Sequence, residues 1–244
     1  MPNGNVVAGG HTWTLEGQDD FTKNAAIGSF ASDGNTPVYT GDHGMSWDEY
    51  GDGWTSTYSG GAPGYMPSAV QSVHDGVLDW YLHNYKGTPV AANPSPLPGG
   101  HQTQTYGRYS LCEKLVPADS HMLDDFYQAM LLWPQNDSDS PSAESDFPEG
   151  PLNASSFSAY AHWGGSGAQD VFDTQTINTT QWHVYTQEWG PGFRRYYIDG
   201  NLLGVSTNQV TSLPERWQLQ VEPSGSDDGD TGHVYVGWVV IWSF

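Results

Sequence analysis

The chain has 244 residues, with seven Lys plus Arg against 28 Asp plus Glu, a formal net charge of −21. Such acidity repels nucleic acid and anionic membranes, and it disfavours strongly anionic substrates, for which a site normally presents Arg or Lys. No run of about 18 apolar residues occurs to form a membrane-spanning helix, and the length suits one domain, 1–244, with a sizeable core.

Thirty Gly and 16 Pro punctuate many short apolar runs, the texture of an all-β chain. The opening Met1-Pro2-Asn3-Gly4 has no basic-then-apolar leader and reads as a mature chain restarted with Met. In chain order, strands are expected near 77–83, 106–116, 126–133, 144–149, 157–163, 182–189, 193–198, 202–206, 217–222 and 233–242. The Pro- and Gly-rich stretch 87–100 reads as a loop, 120–125 as a helical turn and 135–143 as a polar loop. Asp199-Gly200-Asn201 between two apolar runs signals a hairpin, because Asp and Gly tolerate positive φ. One cysteine, Cys112, allows no intramolecular disulfide and reads as a buried, inert thiol in a strand. Eleven Trp and 14 Tyr exceed what such a core needs, so some are expected to line a groove where sugars stack on rings.

The chemistry concentrates in Glu144-Ser145-Asp146-Phe147-Pro148-Glu149. A strand turns alternate side chains to one face, so Glu144 and Asp146 share a face. One extra residue at Phe147-Pro148, a bulge, returns Glu149 to that face, and proline is tolerated there because it has no ladder N–H to lose. Composition alone yields a Glu-x-Asp-x-x-Glu pattern about 0.02 times in this length. Paired carboxyls of this kind suit retaining glycoside hydrolysis, which needs a nucleophile and a protonated acid about 5–5.5 Å apart.

This pattern resembles the bulged catalytic strand of glycoside hydrolase family 16, in the form of its laminarinase-like members. Tyr106-Gly107-Arg108-Tyr109-Ser110, Leu131-Leu132-Trp133-Pro134, Ala161-His162-Trp163-Gly164-Gly165, Trp182 to Trp189 and Arg195-Tyr196-Tyr197-Ile198-Asp199-Gly200 are similar to that family's segments in the same order. The likeness covers about residues 74–242, and more weakly begins at Asp20-Phe21. It implies a β-jelly-roll sandwich of two antiparallel sheets and a secreted, extracellular, monomeric enzyme. The implied activity is endo-acting retaining cleavage of β-1,3- or mixed β-1,3/1,4-glucan, a neutral polysaccharide. Three sequons, at Asn136, Asn153 and Asn178, fit secretion from a eukaryotic source.

On that resemblance Glu144 is the nucleophile, Glu149 the general acid and base, and Asp146 the residue that orients Glu144 and tunes both titrations. His162, Trp133, Trp163, Tyr106 and Arg108 are candidates for substrate contacts, while Glu188 and Glu222 read as structural or rim carboxylates. No cofactor is required. Many members bind structural calcium through an aspartate in the final strand, which Gly237 disfavours here. Two further departures stand out. Asp139-Ser140-Pro141-Ser142-Ala143 replaces the usual Trp-Pro and glycine before the first glutamate, removing an expected subsite wall, and Ser145 replaces isoleucine as a small polar group on the outward face. The alternatives are a same-family hydrolase of β-galactan or glycosaminoglycan and a non-catalytic glycan-binding lectin. A lyase on a similar sandwich is disfavoured by the scarcity of basic residues.

Overall fold

Period-two alternation of apolar residues gives each long strand one face to bury, and two antiparallel sheets bury those faces against each other. The computed structural model describes residues 1–118, 123–165, 167–225 and 229–244, so half of the helical turn expected at 120–125 lies outside the described residues. The chain opens with β1 (Val6–Ala8), β2 (His11–Asp19), β3 (Tyr39–Thr40), β4 (Ser46–Glu49), a one-turn helix α1 (Pro67–Val70) and β5 (Gln71–His74). It continues with β6 (Val77–Tyr85), β7 (Thr88–Val90), β8 (Pro94–Leu97), β9 (Gly107–Pro117) and β10 (Phe126–Pro134). A second one-turn helix, α2 (Ser140–Ala143), leads into β11 (Ser145–Pro151), β12 (Ser158–Trp163) and β13 (Ala168–Asp173). Last come β14 (His183–Gly190), β15 (Phe193–Ile198), β16 (Asn201–Ser206), β17 (Glu215–Pro223) and β18 (Gly232–Ser243).

The larger sheet runs β1-β2-β18-β9-β14-β15-β16, with β5, β6 and β7 attached through β18. The facing sheet runs β13-β12-β11-β10-β17, and a small sheet β3-β4-β8 extends its β17 side through a bridge between Ala92 and Val221. This is the expected two-sheet β-sandwich. Strand β18 shares one edge between two partners: Gly232–Val236 pair with β6 and Val239–Ser243 with β2. The switch falls at a bulge around Gly237.

The core is what alternation dictates. Phe126, Met130 and Leu132 of β10 and Trp217, Leu219 and Val221 of β17 point inward to meet Tyr109, Leu111 and Leu115 of β9. One inward pair is polar: Gln128 on β10 donates to Glu113 on β9 at 3.1 Å, and burial pushes the Glu113 carboxyl up to about 8. The expected hairpin forms between β15 and β16, with Asp199 at φ 49° and Gly200 at φ 77°.

Four expectations need correction. The segment 87–100 is no plain loop: it holds β7, β8 and a 3-10 turn at Pro98–Gly100. Its prolines 94 and 96 sit opposite Glu49 and Trp47 in the small sheet, a place where the missing N–H is tolerated. Segment 135–143 is helical in two short pieces, Asp137–Asp139 and α2. Strands β1 to β5 and β13 arise where no strand is expected, because their alternation is interrupted by polar and glycine residues. Cys112 is only half-buried, yet burial still raises its thiol to about 11, which leaves it protonated and inert at neutral pH.

Candidate active site

Register shows how one strand gathers three carboxyls. Asp146 pairs with Leu131 and Glu149 with Ala129 on β10, and the same two residues pair with Tyr160 and Ser158 on β12. Three steps along β11 therefore match two on either neighbour, which is the expected one-residue bulge at Phe147 and Pro148, across a cis peptide bond. Phe147 turns into the core against Tyr185 and Tyr196, with ring centroids 5.4 and 5.8 Å away. Ser145 also faces inward: it is 1% exposed and hydrogen-bonded to the Tyr196 hydroxyl at 2.7 Å and to Gln187 at 3.2 Å. The outward placement expected for Ser145 is thus wrong, since the face opposite the carboxyls is the sandwich interior. Glu144 precedes the strand proper, but its carbonyl accepts the His162 N–H at 3.0 Å and so stays in register with β12.

The other face of this sheet is an open cleft of about 330 Å³, lined by Glu144 and Glu149 together with Tyr58, Tyr127, Trp133, Gln218, Gln220 and Glu222. Tyr127, on β10, donates its hydroxyl to Glu149 Oε1 at 2.7 Å. His162 Nε2 lies 3.4 Å from Asp146 Oδ2. Glu144, Asp146 and His162 offer atoms all within 4.8 Å of one another, a spacing that a divalent cation fits. A cation there would compete with a sugar for Glu144.

Electrostatics follow from this crowding. Burial, then the charges of Asp146 and Glu149, raise Glu144 to about 8, with the His162 imidazole opposing the rise. Burial dominates at Asp146 as well, followed by repulsion from Glu149. It is 1% exposed with neither oxygen hydrogen-bonded, so its carboxyl moves well above the usual range. Burial also raises Glu149, against the Tyr127 hydrogen bond and the His162 charge. Three neighbouring carboxyls cannot all ionise, so they share protons as one unit. Asp146 is the most deeply buried of the three. A neutral Asp146 removes the second largest cause of the Glu144 shift and lets Glu144 ionise.

A buried ion pair supports the start of this strand. Arg194 on β15 binds Glu215 through two contacts, 2.5 and 3.2 Å, and donates to the Ala143 carbonyl at 3.2 Å, one residue before Glu144.

Trp133 lines the cleft and is held by a 2.8 Å bond from its Nε1 to Asp137. Trp163 is not brought to the carboxyls: alternation along β12 puts it with the core-facing Ala159 and Ala161, opposite His162. Arg108 and Tyr106 are also corrected, because Arg108 lies in β9 of the other sheet and Tyr106 immediately precedes it. Arg108 is ion-paired with Glu188, which in turn takes Arg195 at 3.4 Å and the Tyr197 hydroxyl at 3.1 Å. Tyr106 packs edge-on against Trp189 at 5.1 Å. Glu188 is structural, as expected. Glu222 stands in the cleft wall, where Oε2 accepts the Thr57 N–H at 2.8 Å and pins the loop between β4 and α1 to the sheet. Sequence reasoning missed Tyr58, Tyr127, Gln218 and Gln220. The alternation of Gln218, Gln220 and Glu222 with Trp217, Leu219 and Val221 was the signal for the β17 residues. At the expected calcium position, Gly237 lies under the Trp182 ring, which an added Cβ would meet at 3.2 Å.

No protein-family model matches the sequence, and no curated protein matches it. Solved structures do. LamA of Zobellia galactanivorans, in a variant bound to laminaritriose and laminaritetraose, superposes with a TM-score of 0.70 at 17% identity, over 94% of this chain and 99% of that one. The fold is that of the laminarinases. An endo-β-1,3-glucanase of Pyrococcus furiosus matches with a TM-score of 0.69 at 13% identity, over 100% and 99% of the two chains. SCLam, a non-specific endo-β-1,3(4)-glucanase of glycoside hydrolase family 16, matches with a TM-score of 0.70 at 14% identity, over 98% and 95%. The laminarinase-type jelly roll expected from the sequence is therefore the fold of this chain.

Proposed function

We propose that this protein is an endo-acting, retaining glycoside hydrolase of the family-16 type, cleaving β-1,3- or mixed β-1,3/1,4-glucan. The observation that carries the reading is the bulge, which returns Glu149 to the side of Glu144 and Asp146, with Glu144 and Glu149 lining an open cleft. An open groove rather than a closed pocket suits attack within a chain. The laminari-oligosaccharides bound by LamA support a β-1,3-glucan as substrate.

In the first half-reaction the Glu144 carboxylate attacks the anomeric carbon while Glu149 gives its proton to the glycosidic oxygen, and the C–O bond breaks to leave a glycosyl ester on Glu144. In the second, Glu149 takes a proton from water, the hydroxyl oxygen bonds to the anomeric carbon, and Glu144 leaves as a carboxylate. Burial favours the protonated form of Glu149 that the first step uses. Burial favours a proton on Asp146 beside Glu144, which limits repulsion while the nucleophile stays charged. His162 Nε2 stands 3.4 Å from Asp146 on the same side. The protein acts as a secreted monomer needing no cofactor.

The test is to incubate the protein with laminarin, lichenan, agarose and hyaluronan, measure reducing ends, and follow product anomers by NMR. Release of β-anomers first from a glucan supports the reading. Silence on laminarin and lichenan removes the glucan assignment, and first-formed α-anomers remove the double displacement.

A further inference from the structure

The bulge in β11 interrupts the regular ladder with both neighbouring strands, and the larger sheet reaches across the sandwich interior at that point. Gln187 on β14 and Tyr196 on β15 are cross-strand partners, and both side chains are buried. Gln187 Nε2 donates to the Met130 carbonyl at 3.3 Å, and Met130 is the residue of β10 that the register with β11 passes over. The Tyr196 hydroxyl donates to the Tyr160 carbonyl at 3.0 Å, and Tyr160 is the residue of β12 in register with Asp146, next to the same bulge. Ser145, between Glu144 and Asp146, donates to Gln187 Oε1 at 3.2 Å and lies 2.7 Å from the Tyr196 hydroxyl. Two neighbouring side chains thus grip the strand that carries the carboxyls and the strand on either side of it.

Packing alone does not call for this grip. An isoleucine at 145, the residue that the family resemblance leads one to expect, would bury more apolar surface and need no partner. Ser145 forgoes that burial, and its hydroxyl has to be paired inside the sandwich. What the hydroxyl adds is direction, since apolar contacts let strands slide whereas hydrogen bonds fix distance and angle. The geometry so fixed is the one that the chemistry depends on. Ser145 adjoins Glu144 on one side of the bulge, and Glu149 follows on the other. Retaining hydrolysis needs the two carboxyls about 5–5.5 Å apart, and a misplacement of about 1 Å costs about 100-fold in rate.

We infer that Ser145, Gln187 and Tyr196 are positioning residues: from behind the cleft they hold the bulge in register and so set the separation of Glu144 from Glu149. All three are buried in the interior, and none lines the cleft. The inference rests on the glycan-hydrolase reading above and extends its machinery to the opposite sheet.

The experiment separates positioning from stability. Ser145→Ala, Tyr196→Phe and Gln187→Leu are compared with the parent for kcat and KM on laminarin and for thermal unfolding. Ser145→Ala and Tyr196→Phe should each lower kcat about 10- to 100-fold, with KM within about twofold of the parent because the cleft lining is untouched. Gln187→Leu should behave alike. Ser145→Thr, which keeps the hydroxyl, should recover most of kcat, and the double variant Ser145→Ala/Tyr196→Phe should cost little more than either change alone. Ser110→Ala is the control: it removes a buried 2.7 Å bond to Thr186 on the outward face of the larger sheet, and it should lower the unfolding midpoint with kcat unchanged. Parental kcat in folded Ser145→Ala and Tyr196→Phe overturns the positioning role while leaving hydrolysis standing. So does an equal loss in Ser145→Ala and Ser145→Thr, or in Ser110→Ala. Should Tyr196→Phe not fold, the comparison of Ala with Thr at 145 decides. A parent that cleaves none of laminarin, lichenan, agarose and hyaluronan overturns the hydrolase reading itself.

Discussion

Tyr127 reaches across from β10 to donate its hydroxyl to Glu149 at 2.7 Å. A hydrogen bond given to a carboxylate favours the charged form, so this contact lowers Glu149 while burial raises it. Removing it in Tyr127→Phe leaves burial opposed only by His162, and Glu149 keeps its proton to higher pH. The alkaline limb of the kcat/KM profile should move upward, with kcat reduced about tenfold by loss of the positioning bond. A pH-rate profile on laminarin checks this, and an unmoved alkaline limb would refute the assignment of Glu149 as the acid.

Glu144→Ala and Glu149→Ala should each lower kcat by about 1,000-fold or more. Azide separates their roles. With Glu144 gone, azide enters directly from the vacated side and gives the α-glycosyl azide. With Glu149 gone, azide attacks the glycosyl-enzyme and gives the β-azide, most readily from a substrate whose leaving group needs no acid. Product NMR identifies the anomer. The same anomer from both variants would show that the two glutamates do not hold distinct positions.

Glu113 makes stability depend on pH. Its folded value is raised to about 8 from an ordinary 4.5, chiefly by burial. The folded protein therefore keeps a proton that the unfolded chain has already lost, and its contribution to stability is full below about pH 4.5 and fades as pH rises toward 8. Glu113→Gln carries no such proton and can still pair with Gln128. Its stability relative to the parent should rise across that window by a few kcal/mol. Urea unfolding at the two ends of the window reads the difference directly, and parallel pH curves for the two proteins would contradict the assignment.

Arg194→Met should destabilise by about 3–5 kcal/mol near neutral pH, because it leaves Glu215 buried without its counter-charge. Glu215 is already raised to about 7 by burial despite Arg194. Without Arg194 it protonates more readily, so the loss should shrink in acid. Guanidinium unfolding at both pH values measures this, and a cost below about 1 kcal/mol at neutral pH would show that the pair is dispensable.

How much of this was legible beforehand depends on sequence distance. Alternation along β10, β11 and β17, the extra residue at Phe147 and Pro148 and the Asp199-Gly200 turn are local, because each follows from how neighbouring residues share one strand or turn. Alternation also says which residues share a face, but it is silent on which face is covered. Ser145 was misplaced for that reason, as the face opposite Glu144 proved to be the core.

What the sequence by itself determined is the all-β class and the convergence of three carboxyls on one bulged strand, both set by short-range periodicity and steric rules. What only the tertiary structure decided is what surrounds them. Glu222 holds Thr57 across 165 positions of chain, and Arg108 is drawn to Glu188 across 80, away from the cleft. Such pairings are set by how whole sheets stack and which loops fold over them, and no local pattern encodes a contact whose partner lies that far along the chain.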